Sequence, residues 1–64
     1  MHISELVQVQ DEGSIFLVYP QSESVRSWLK ENTAGEWWGT ALVVEHRYVN
    51  ELLAGMFYDF SERN

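Results

Sequence analysis

The sequence predicts a small α+β domain in the order ββαβα, a three-stranded mixed sheet carrying two helices, with residues 1–64 as a single unit. Three observations lead there. Two short β-branched or alternating segments precede Pro20. Two later segments repeat apolar residues at i, i+3 and i+4. A β-rich run, residues 37–45, stands between those two helical patterns.

Taken in order, residues 6–9 read as the first strand, with Val7 and Val9 alternating with Gln8 and Gln10. Asp11-Glu12-Gly13 is a turn, and Gly13 suits a positive φ. Residues 14–19 form the second strand, with Ile15, Leu17 and Tyr19 on one face and Phe16 and Val18 on the other. Pro20 cannot donate to a ladder and ends it. Ser22 is an N-cap and Glu23 complements the positive end of the helix dipole. Val25, Trp28 and Leu29 supply the apolar stripe of the first helix, with Arg26 and Lys30 on another face. Asn32-Thr33-Ala34-Gly35 stops it, with Gly35 suited to a left-handed C-terminal position.

Read as one third strand, residues 37–45 place Trp38, Thr40, Leu42 and Val44 on one face. Trp37, Gly39, Ala41, Val43 and Glu45 take the other. Gly39 then marks a bulge or a close backbone approach. The second helix covers about residues 46–60 through Val49, Leu52, Leu53, Met56 and Phe60. Gly55 weakens it by about 1 kcal/mol relative to Ala, which suggests tight packing there, and residues 61–64 are expected to fray. A crossover from the second to the third strand through the first helix makes those two strands parallel, and the first two form an antiparallel hairpin. Both helices then fall on one face, leaving an apolar sheet face open.

Composition narrows the function. Ten acidic residues against four basic ones give a net charge of −6, so the field attracts basic partners and repels nucleic acid. A chain this short buries only about 60% of its unfolded surface. Nine aromatic residues exceed what its core needs, which points to an interface with a partner or a second copy. There is no cysteine, hence neither disulfide nor thiolate metal site. Residues 1–10 lack the basic start and apolar core of a secretory leader, and the longest apolar run, residues 41–44, is far short of a membrane span. A cytoplasmic location is expected.

No catalytic or cofactor-binding constellation emerges. His2 and His46 are far apart in sequence and no third group orients either, so no nucleophile–base arrangement forms. Metal binding needs three or four convergent ligands, and these histidines with scattered carboxylates do not supply them. The four glycines are isolated, so there is no phosphate loop. Glu36-Trp37-Trp38-Gly39 is the most distinctive local feature. Adjacent tryptophans on a strand face opposite ways, so one serves the core and the other is available as an interface anchor. In the Glu45-His46-Arg47-Tyr48 junction, Arg47 is spaced to pair weakly with Glu51.

The run Trp28-Leu29-x-Glu31-Asn32, then Trp37 or Trp38 with Gly39, then Leu42-Val43-Val44-Glu45-x-Arg47-Tyr48, then Leu52-x-x-Gly55-Met56, resembles a family of small bacterial proteins associated with plasmids, phages and other mobile elements. The resemblance covers roughly residues 17–60. It brings no known activity and transfers no functional residue. It implies a pattern that serves fold or partner recognition. Small acidic proteins of such elements often block host defence nucleases, including restriction and CRISPR complexes.

The expectation is therefore a non-enzymatic acidic module that docks on a basic protein surface, with Glu31, Glu36, Trp37, Glu45, Arg47 and Tyr48 as its contact residues. It uses no cofactor or metal, and touches neither nucleic acid nor membrane. An inhibitor of a host nucleic-acid-binding complex, of the anti-CRISPR or anti-restriction kind, is its sharpest form. The alternative is a structural or regulatory homodimer, antitoxin-like, paired through the open sheet face.

Overall fold

The computed structural model describes residues 2–62 and is a two-layer α+β domain with a four-stranded, wholly antiparallel sheet. A 3-10 turn, Ile3–Glu5, leads into β1 (Val7–Asp11) and β2 (Ile15–Pro20). Helix α1 (Glu23–Asn32), β3 (Trp37–Trp38), β4 (Ala41–Glu45) and α2 (His46–Glu62) follow. The sheet order is β1-β2-β4-β3.

The first hairpin forms as the sequence indicates. Gly13 has φ 95°, its N–H donates to Asp11 Oδ1 at 2.8 Å, and the Glu12 N–H reaches the Ile15 carbonyl. Val9 opposes Val18 and Asp11 opposes Phe16, so β1 and β2 share faces in register. Helix α1 starts on Ser22, whose hydroxyl accepts from the Val25 N–H at 3.3 Å. It ends where the Thr33 hydroxyl and the Asn32 amide turn back to the carbonyls of Leu29 and Trp28.

Residues 37–45 do not form one strand. Gly39 adopts φ 63° with no atom near the position of a Cβ, and the chain reverses over Gly39-Thr40, so that Trp38 pairs with Ala41 and Trp37 with Leu42. Gly at the first of two central positions, followed by a residue of negative φ, is the chemistry of a type II′ hairpin turn. Gly39 is therefore a turn residue rather than a bulge, and the sheet has four strands rather than three.

The expected parallel pairing is corrected for the same reason. The crossover through α1 does deliver β3 in the direction of β2. The turn then sends β4 back into the gap between them, where it pairs antiparallel to both. The reversal also exchanges the two tryptophans. Trp37, not Trp38, shares a face with Leu42 and Val44.

Both helices cover one sheet face. Val25, Trp28 and Leu29 of α1 and Val49 and Met56 of α2 form one core cluster with Val7, Val18, Leu42 and Val44, all on that face by register. Leu29, Leu42 and Met56 are wholly buried. Helix α2 continues through Ser61 to Glu62, past its expected end, and the expected fraying of residues 63 and 64 lies outside the described residues.

Gly35 is not a left-handed cap, because its φ is not positive. Its role is close approach: a Cβ there would lie 2.9 Å from Leu42 Cδ1 and 3.4 Å from the Val43 carbonyl oxygen. Leu42 has no room to yield, since it is wholly buried in the central strand. Gly35→Ala is expected to destabilise the domain by about 1–3 kcal/mol through overpacking, read as a lower urea midpoint with unchanged m-value.

Candidate partner-binding site

Helix α2 is amphipathic on two counts. Its inner stripe enters the core. A second stripe, Tyr48, Glu51, Leu52, Gly55, Tyr58 and Asp59, recurs at i, i+3, i+4, i+7, i+10 and i+11 along one flank. That flank forms one wall of a groove of about 680 Å3. The end of α1, the link at Gly35 and the end of β4 form the rest, with Trp28, Leu42 and Val44 as apolar lining.

Three of the lining residues are acidic, Glu45, Glu51 and Asp59, and none is Lys or Arg. Asp59 is anchored: its Oδ2 accepts from the Trp28 indole N–H at 2.6 Å, which joins the two helices through a part-buried, charge-assisted hydrogen bond. The Trp28 ring also packs against Phe60, with centroids 6.4 Å apart. Glu51 is exposed and makes no ion pair among the described residues.

The six residues singled out from sequence divide into two groups. Glu45 and Tyr48 line the groove. Arg47 stands beside them, with Nη2 3.8 Å from Glu45 Oε1 and its guanidinium 4.9 Å from the centre of the Tyr48 ring. It turns to Glu45 rather than to the expected Glu51, and both partners are well exposed, so the pair adds little to stability.

Glu31, Glu36 and Trp37 do not join the groove. Glu31 is exposed in the last turn of α1. Glu36 is exposed and accepts from the Trp38 indole N–H at 2.8 Å. Trp37 is half-buried against the core with the Arg26 guanidinium 5.5 Å above its ring, whereas Trp38 is 53% exposed on the open sheet face. The exposed tryptophan is thus the second of the tandem pair.

Sequence reading missed Glu51, Asp59 and Tyr58, although their spacing on α2 carries the signal. The inner apolar stripe masked it. His46 opens α2 as expected, but is less isolated than a surface histidine. Its ring stacks on Phe16 at 4.3 Å, and Nε2 lies 3.5 Å from Asp11 Oδ1 at the first hairpin turn.

Compared with protein-family models, curated proteins and solved structures, the chain matches none. No helix among the described residues is long and apolar enough to cross a membrane.

The Trp28–Asp59 bond holds one wall of the groove to the other. Asp59→Ala leaves a part-buried indole N–H without its acceptor and is expected to cost about 1–3 kcal/mol. Thermal unfolding followed by circular dichroism measures the loss, and an unchanged midpoint would show that the bond contributes nothing.

Proposed function

We propose that this protein is a non-enzymatic binding module that takes a cationic stretch of a partner protein into the groove between α2, β4 and the end of α1. The observation that carries this is the lining: apolar side chains below, three carboxylates around them, and no cation among them. Apolar contact gives such a site affinity, and the carboxylates select the sign of the partner. The net charge of −6 adds long-range attraction of the same sign.

In its sharpest form the partner surface is one that otherwise holds nucleic-acid phosphates. The module would then act as a steric and electrostatic inhibitor of a host nucleic-acid-binding complex in the cytoplasm, of the anti-CRISPR or anti-restriction type. Carboxylates would occupy the Lys and Arg positions meant for phosphate.

A second reading has its own support. The sheet face away from the helices carries Ile15, Tyr19 and Val43 half-buried and Trp38 exposed, with the carboxylates of Glu12, Glu36 and Glu45 at its edges. An apolar face of this kind suits a homodimer.

Two outcomes test these readings. Glu51→Lys is expected to weaken capture of a basic partner from lysate far more than Glu31→Lys or Glu36→Lys, and capture by the unmodified chain should fall steeply with salt. Equal effects of all three reversals would replace the groove with a diffuse field. For the second reading, Trp38→Ala should shift sedimentation from dimer to monomer while charge reversal leaves it unchanged. A chain already monomeric at high concentration would end that reading.

A further inference from the structure

Within the groove stripe of α2, three positions recur every four residues: Glu51, Gly55 and Asp59. Each step advances about 6 Å along the helix axis. Gly55 sits midway between the two carboxylates. Packing does not require a glycine there. It is exposed, and a Cβ would meet only Trp28 Cη2, at an ordinary 3.9 Å. The position instead leaves a notch in the helix wall, bordered by the Trp28 indole, with an acid one turn away on either side. Neither Glu51 nor Asp59 has a cationic partner among the described residues.

The groove flank of α2 runs for roughly 16 Å from Tyr48 to Asp59, a length that an extended segment of about five residues spans. In such a segment residues i, i+2 and i+4 point the same way at steps of about 6.6 Å, which matches the spacing of Glu51, Gly55 and Asp59.

We infer that the groove recognises an extended segment of a partner protein in which an apolar side chain is flanked, two residues away on each side, by Lys or Arg. The apolar group enters the Gly55 notch against Trp28. The two cations meet Glu51 and Asp59. This rests on the groove being the docking site, and it names what that site selects.

The test uses a labelled peptide, Gly-Lys-Thr-Leu-Thr-Lys-Gly, and fluorescence polarisation against the full chain at low ionic strength. One control peptide has the same composition with its lysines adjacent. Another replaces Leu with Ser. The spaced peptide is expected to bind about ten-fold more tightly than either control, the change expected from losing one buried anchor or its registered charges. Glu51→Gln should weaken it about five-fold, in line with one exposed ion pair. Gly55→Leu, which fills the notch, should abolish the preference for the spaced peptide. Gly55→Ala should raise the midpoint of the melting curve, the result expected if residue 55 tolerates a side chain.

Equal, salt-sensitive binding of the spaced and adjacent-lysine peptides would overturn the inference while leaving a basic partner intact. Absence of binding by every cationic peptide, with a folded chain, would overturn both.

Discussion

A single positive-φ position, Gly39, decides the interior of this protein. With φ at 63° the chain reverses over two residues, and β4 becomes an inner strand between β2 and the two-residue β3. From there it supplies Ala41, Leu42 and Val44, all buried, to a domain too small to waste a strand. The reversal also sets which tryptophan faces the helices. A straight strand would turn Trp38 inward with Leu42; the hairpin turns Trp37 inward and leaves Trp38 out. Gly35, just upstream in the arm that becomes β3, brings the backbone to within contact of Leu42.

Once β4 is central, the two helices settle on one face and the chemistry of the surface separates. The uncovered sheet face carries Gln8, Gln10, Ile15, Tyr19, Val43 and Trp38, with Glu45 at its end. Acidic groups lie mainly on the helices and turns. In a molecule of net charge −6 the two surfaces therefore suit different partners. The sheet face is apolar at its centre and holds its carboxylates at the edges, so its centre can meet a second copy, whereas the groove attracts a cation. The two readings of function meet at the end of β4, where Val43 and Glu45 belong to both surfaces, and otherwise use different residues.

Much of this architecture was legible in the sequence. Periodicity located both helices, because Val25, Trp28, Leu29, Val49 and Met56 are apolar at helical spacing and all reach the core. Alternation gave the faces of β2 correctly, and Gly13 announced its turn. The strand at residues 37–45 misled because tandem tryptophans followed by Gly-Thr and an apolar run satisfy a β pattern on either side of the turn. Composition favours strand throughout, and only φ at Gly39 reveals the fold-back. The acidic groove was half visible. Glu45 and Tyr48 were noticed for their local company; Glu51 and Asp59 share one flank of α2 by spacing, but that flank becomes a groove wall only when α2 is placed against α1, where the Trp28–Asp59 bond spans 31 residues. Local patterns cannot show such a contact.

Helix α2 serves the fold with one stripe and lines the groove with another. Its inner stripe is fully committed to packing, with Met56 wholly buried and Val49 nearly so. Its groove flank is not: Tyr48 and Tyr58 are 50% and 65% exposed, and Gly55 lies between them with no packing reason for lacking a side chain. A glycine in mid-helix costs about 1 kcal/mol, a large share of the few available to a domain of this size. Sequence and core packing both accept alanine at that position, so the cost has no structural return inside the monomer. What it does return is access. The indole of Trp28, held in place by Asp59, borders a site that any larger residue at position 55 would begin to close. The local weakness of the helix and the openness of the groove are the same feature.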